Sequence, residues 1–114
     1  MLREMISDLN VKHHSLYGVT WDLSIRDTHP AYFSCFYRYK ETEKGNGAKA
    51  LREVLDLADQ FGLAIELFAQ EQKDTPGKLV SYYEQFEFVK TGQYWGDHNR
   101  YPIMIRPAQT YPVH

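Results

Sequence analysis

The sequence predicts an α+β fold: a mixed β-sheet flanked by helices, with a central β-α-β crossover and antiparallel flanking strands. Three observations carry it. Residues 16–26 and 31–40 each alternate apolar and polar positions with a period of two, as half-buried strands do. After Gly45-Asn46-Gly47 the period becomes helical, with Leu51, Val54, Leu55, Ala58 and Phe61 on one face. The run "LAIELFA" (63–69) then follows, short and almost wholly apolar, which suits a central strand covered on both faces.

Taken in order, residues 1–15 read as a lead-in, either a short helix or irregular. In the first strand Tyr17, Val19, Trp21, Leu23 and Ile25 point one way, and "DTHP" (27–30) ends it as a turn. In the second, Ala31, Phe33, Cys35, Tyr37 and Tyr39 share a face, which places Cys35 among buried apolar neighbours. Gly62 stops the first helix. "QEQKDTPG" (70–77) is a polar loop, and a second helix from Lys78 to about Phe86 gathers Leu79, Val80, Tyr83 and Phe86 on one side. Strands follow at 87–95 and 101–106, with "GDHNR" between them. Pro102 suggests that the last strand lies near an edge or pairs only from Ile103 on. Such an edge is a candidate seam for a homodimer. Residues 107–114 read as a loosely held tail of a single domain, 1–114.

Composition narrows the class. A net charge of −2 gives no basic footprint for phosphate neutralisation, so sequence-independent nucleic-acid binding is not expected. The lone Cys35 cannot form an internal disulfide, the first residues lack a signal-peptide apolar run, and no stretch reaches membrane-spanning length. A cytoplasmic protein with no membrane partner is expected. His13 and His14 would splay apart in a strand, and no Cys/His cluster supports a metal.

Gly45 and Gly47 pose the chemical question. Glycines at the mouth of a helix serve a tight turn, or let backbone N–H groups approach an anion, where the helix N-terminus adds donors and partial positive charge. Lys44 and Lys49 would supplement that charge. Neither the nucleotide P-loop nor the three-glycine dinucleotide fingerprint is present.

The stretch "TEKGNGAKALREVLDLADQFG", followed by "IELFAQ" and "LVSYYEQFEF", resembles the GNAT superfamily of acyl-CoA-dependent N-acetyltransferases. That family carries an Arg/Gln-x-x-Gly-x-Gly/Ala turn opening a long helix. It then has a strand, a short helix bearing "Phe-Tyr-x-x-x-Gly-Phe", and closing strands. Thr42-Glu43-Lys44-Gly45-Asn46-Gly47-Ala48 aligns with the turn, and Tyr82-Tyr83-Glu84-Gln85-Phe86-Glu87-Phe88 with the later stretch. "YPIMIR" looks like a closing strand, so the likeness runs from about residue 16 to 106. It departs at Thr42, where Arg or Gln is usual, at Glu87, where Gly is usual, and in its short front, where the family places two helices.

The resemblance implies acetyl-CoA as cosubstrate and a primary amine as acceptor, with a protein amine slightly favoured because a large partner can complete a reduced acceptor region. It places pantetheine beside the backbone of Phe36, Tyr37, Arg38 and Tyr39, and the pyrophosphate on the amides of Lys44, Gly45, Asn46, Gly47 and Ala48 beside Thr42. Gln70 would meet the pantetheine amides. Tyr83 matches the family general acid to the leaving thiolate. No base is evident; Tyr32, His29 and His98 are weak candidates beside water. The rival expectation is a GNAT-like CoA-binding or protein-interaction module without turnover, anchored by Tyr94, Trp95 and Tyr101.

Overall fold

The structure, a computed structural model, describes residues 1–38, 45–70 and 77–109. Its elements run α1 (Leu2–Tyr17), β1 (Val19–Ser24), β2 (Ala31–Arg38), α2 (Asn46–Gln60), β3 (Ile65–Phe68), α3 (Lys78–Glu84), β4 (Val89–Trp95), a 3-10 turn (Asp97–Asn99) and β5 (Tyr101–Arg106). The strands form one mixed sheet in the order β1-β2-β3-β5-β4, with only the β2–β3 pair parallel. The expected α+β architecture with a central β-α-β unit is present.

Of the two readings of the front of the chain, helical or irregular, the structure shows the helix, and a longer one than expected at 16 residues. Ile6, Leu9, His13 and Tyr17 recur at helical spacing; His13 is fully buried, and the other three pack against the core. The helix runs past the expected strand start at residue 16. It stops at Gly18, whose φ of 64° gives a left-handed cap that donates its N–H to the His13 carbonyl. The stripe is hard to read because its best-buried member is a histidine, while Val11 and Leu16 stand exposed.

His13 is held by side chains distant in sequence. Its Nδ1 accepts the Trp21 indole N–H at 2.9 Å, so the neutral ring carries its proton on Nε2. Nε2 faces Glu53 Oε1 at 3.4 Å. Glu53 also accepts from Lys12 (2.9 Å) and Tyr17 (2.8 Å), which ties α1 to α2. Histidines 13 and 14 are thus helical, and His13 is spent on structure.

The inner face of the sheet carries the core: Trp21, Leu23, Phe33, Ile65, Leu67 and Met104 meet Leu51, Val54, Leu55 and Ala58 of α2 and Val80 and Tyr83 of α3. The outer face is less covered. Glu66 and Phe68 remain half-exposed, so β3 is not sheathed on both sides as its apolar run suggests. Its cover there is a set of rings: Phe68 stacks on Trp95 at 4.6 Å and lies 6.0 Å from both Tyr32 and Tyr101.

Two further expectations change. Pro102 sits in an interior strand, because β5 pairs with β3 on one side and β4 on the other. Towards β3 the pairing does start only at Ile103: the Pro102 carbonyl accepts the Ala69 N–H at 2.9 Å, so its missing N–H faces β3 just past the last pair, Phe68–Ile103. On the other side β4 slips in register between Lys90 and Tyr94, where the Thr91 hydroxyl donates to the Ile103 carbonyl while accepting the Gln93 N–H. Among the described residues the sheet's margins are therefore β1 and β4, so the edge proposed for a dimer seam at 101–106 is not an edge. The tail is also held at its start: the Gln109 N–H donates to Asp59 Oδ1 at 2.9 Å. That Asp59 carboxylate is itself nearly buried, in a bidentate pair with Arg106 at 2.8 and 3.0 Å.

Candidate functional site

β2 and β3 pair only at Ala31–Ile65 and Tyr32–Glu66. Beyond Tyr32 the strands part. The cause lies in β2, where three steps (Tyr37 to Ser34) oppose two on β1 (Thr20 to Asp22). The extra residue is a β-bulge at Cys35, whose φ is 57°. The bulge reverses the alternation. Cys35 turns outward instead of joining the buried face, and Phe36 turns in against the core, its ring 5.4 Å from Phe33. The sequence does carry a sign of this. Phe33 and Phe36 are three residues apart, a jump in phase that a regular strand cannot bury.

The parted strands open a cleft of about 400 Å³, lined by Tyr32, Ser34, Cys35, Phe36, Gln70 and Tyr83 among others. That volume falls in the range of small-molecule sites. On its β2 side, the backbone beyond Tyr32 has no β3 partner, an edge on which an extended ligand can pair like a strand.

Phe36 also links the cleft to the first turn of α2. A Cβ placed on Gly47 would lie 3.7 Å from its ring. The two glycines now separate in role. Gly45 has a φ of 95°, which a side chain would strain, so the turn itself requires it. Gly47 has helical dihedrals and ordinary room for a Cβ, so the fold makes no demand for glycine there, yet glycine in a helix costs roughly 1 kcal/mol relative to alanine. The helix start carries no side-chain cap and no acidic residue in its first turn. Its first intrahelical bond runs from the Lys49 N–H to the Gly45 carbonyl at 3.0 Å, ahead of which the amides of Asn46, Gly47 and Ala48 have no partner within the helix.

Tyr83 is buried on α3 and packs edge-on against Phe88. Burial, with Tyr82 adding to it, pushes its phenol well above the ordinary range, so it stays protonated at neutral pH. Burial likewise raises Tyr32, assisted by Cys35 and Glu66 and opposed by Arg26.

Of the expected site residues, Phe36, Gln70 and Tyr83 line the cleft; Gly47 adjoins the Phe36 ring, and Gly45, Asn46 and Ala48 are not among the lining residues. Tyr37 is 58% exposed and outside the lining, while its backbone and that of Arg38 pair with β1. Tyr39, Thr42 and Lys44 lie outside the described residues. His29 and His98 are exposed and line no part of the cleft; Tyr32 does. Ser34 and Cys35 entered it through the bulge. Tyr94 and Trp95 occupy successive positions of β4, and it is Trp95 that stacks with Tyr101 on the outer face.

A cavity of about 460 Å³ also opens between α1 and α2, but Asp8, Glu53 and Asp56 line it against one Lys12. That balance repels an anionic ligand.

Solved structures share the fold. A protein from Lactobacillus plantarum provisionally designated an N-acetyltransferase aligns with a TM-score of 0.58 and 21% identity, over 80% of this chain and 60% of its own. The fold is GNAT-like. The anti-CRISPR protein AcrVA5 aligns with a TM-score of 0.58 and 22% identity, over 79% of this chain and 90% of its own. No family model and no curated protein sequence matches the chain. In this GNAT-like frame β2 is the strand before the glycine turn, α2 the helix it opens, and α3 the helix of the aromatic stretch. At such identities the likeness is one of fold, and the chemistry has to be argued from the residues.

Proposed function

We propose that the protein is an N-acyltransferase that moves an acetyl group from acetyl-CoA to a primary amine. The observation that carries this reading is the cleft between β2 and β3, lined by Tyr83 and by Phe36, whose ring adjoins Gly47 in the uncapped first turn of α2. Its parts match the parts of the cosubstrate. The free β2 edge suits the amide-bearing pantetheine arm. The amides of Asn46, Gly47 and Ala48, which have no partner within the helix, suit a pyrophosphate, and the absent side chain at Gly47 lets it come close. The provisional N-acetyltransferase designation of one neighbour agrees with it.

In the reaction the neutral amine nitrogen attacks the thioester carbonyl carbon. The new C–N bond forms, the C–S bond breaks, nitrogen gives up a proton and the thiolate takes one. Tyr83, held protonated by burial, donates a hydrogen bond and then its proton to the sulfur as charge develops there, and regains a proton from solvent. The half-exposed Trp95 and its ring stack favour a second reading, a GNAT-like module that binds a partner without turnover.

Calorimetric titration with acetyl-CoA tests the site. Binding by the parent and its loss in a folded Gly47→Glu variant is the expected result; a parent that does not bind ends the acyltransferase reading. Tyr83→Phe should keep acetyl-CoA affinity while lowering turnover about 100-fold, the scale of a lost general acid. Under the second reading that variant changes no partner affinity.

A further inference from the structure

A second, smaller cavity of about 240 Å³ lies on the outer face of the sheet, lined by Arg26, Tyr32, Glu66, Phe68, Trp95 and Ile103 with Leu67. It adjoins the cleft: Tyr32, Leu67 and Phe68 line both. We infer that this cavity is the acceptor site and that its occupant is a lysine side chain carried on a polypeptide, an inference that rests on the acyltransferase reading for its consequence but not for the binding itself.

Size comes first. At about 240 Å³ the cavity falls below the ~300–1,000 Å³ of typical small-molecule sites, and suits one side chain of a larger molecule. The walls come second. Phe68 and Trp95 offer ring surface that packs an alkyl stem, while the Tyr32 ring already holds a cation, the Arg26 guanidinium at 5.8 Å.

Charge comes third. Glu66 Oε1 accepts from Arg26 Nη2 at 3.2 Å, and Arg26 is itself anchored by its Nε donating to the Pro30 carbonyl at 2.7 Å. Glu66 Oε2 bonds no described residue, so a carboxylate with sites for about four hydrogen bonds has room for an ammonium. The rim comes fourth. Trp95 is 52% exposed yet fixed by its stack on Phe68, a rigid ring of the kind favoured at protein interfaces. A lysine entering past Trp95 would have its nitrogen at Glu66, beside the strand pair at which the cleft begins.

The test uses a pool of blocked nine-residue peptides with one central lysine, and a matched pool with acetyl-lysine. Trp95 is half-exposed and Trp21 buried, so a change in the accessible tryptophan emission reports this site. Saturable change with the lysine pool, and about tenfold weaker binding by the acetyl-lysine pool and by Glu66→Gln, is expected from loss of one charge-assisted contact. Trp95→Ala should weaken capture measured by calorimetry, and Trp95→Phe should largely restore it. Equal affinity for the two pools, or for parent and Glu66→Gln, overturns the inference. Parallel titration with acetyl-CoA separates the claims. Peptide binding without acetyl-CoA binding keeps the lysine site and sinks the transferase reading; the reverse sinks the lysine site alone.

Discussion

Glu87 sits where the chain asks for glycine. α3 closes with the Phe88 N–H bonded to the Tyr83 carbonyl at 3.3 Å and the Glu87 N–H to the Glu84 carbonyl at 3.2 Å, the Schellman pattern. Glu87 holds the left-handed position with a φ of 70°. α2 closes the same way with Gly62 in that place, at φ 65°. Glu87 gains little from its side chain, whose carboxylate stands 3.9 Å from Arg52 with both groups exposed. Glu87→Gly is therefore expected to stabilise the fold by about 1 kcal/mol and raise Tm by several degrees. A calorimetric scan showing no rise would remove this account. The sequence already marks the position, since the resemblance calls for glycine there. It does not mark Cys35, because a left-handed cysteine in a strand has no local signature, and only the phase jump from Phe33 to Phe36 betrays it.

Among the elements, those with strong periods read most clearly. β1, α2, β3 and α3 lie within a few residues of their expected spans. The failures have one cause, a partner far along the chain. α1 buries its stripe through His13, whose burial depends on Trp21 and Glu53. β5 tolerates Pro102 because its missing N–H faces β3 just where that pairing has ended. Asp59 looks like one more surface carboxylate of α2 until Arg106 arrives from β5, forks onto it and donates its Nε to the Phe86 carbonyl at 2.9 Å. That pair fastens the last strand to two helix ends. Asp59→Ala leaves Arg106 buried and unpaired, and is expected to cost about 3–5 kcal/mol. A denaturant titration in which the unfolding free energy falls by less than a quarter of that would show the pair to be incidental. For the candidate site, helix and glycine turn were legible, but the cleft was not, because the parting of β2 from β3 follows from the bulge.

At the scale of the whole molecule, the buried ionisable groups make the fold acid-sensitive in two stages. Burial lowers the pKa of His13, against the opposing pull of Glu53. Unfolded chains therefore take up a proton below about pH 6.5 that the folded chain refuses, and stability falls as pH drops through that point. Burial raises Asp59 and Glu53, but their bonds outweigh it and leave both below ordinary values: chiefly Arg106 for Asp59, and Lys12, Tyr17 and His13 for Glu53. Their contribution is whole above about pH 4.5 and lost as pH falls through the folded values. Urea midpoints should decline gently from pH 6.5 and steeply below about pH 4. His13→Gln, which keeps an acceptor for Trp21, should flatten the gentle phase alone; an unchanged slope in that variant would assign it elsewhere.

The slip in β4 bears on how the protein behaves in crowded solution. A free sheet margin is a template for any passing chain. Here the Lys90 and Tyr94 pairs are separated by a kinked stretch, with Gly92 at a φ of 86° and Thr91 turned back onto its own sheet. An incoming strand finds no long, even row of donors and acceptors to copy. That irregularity thus denies fibrils a place to start along β4.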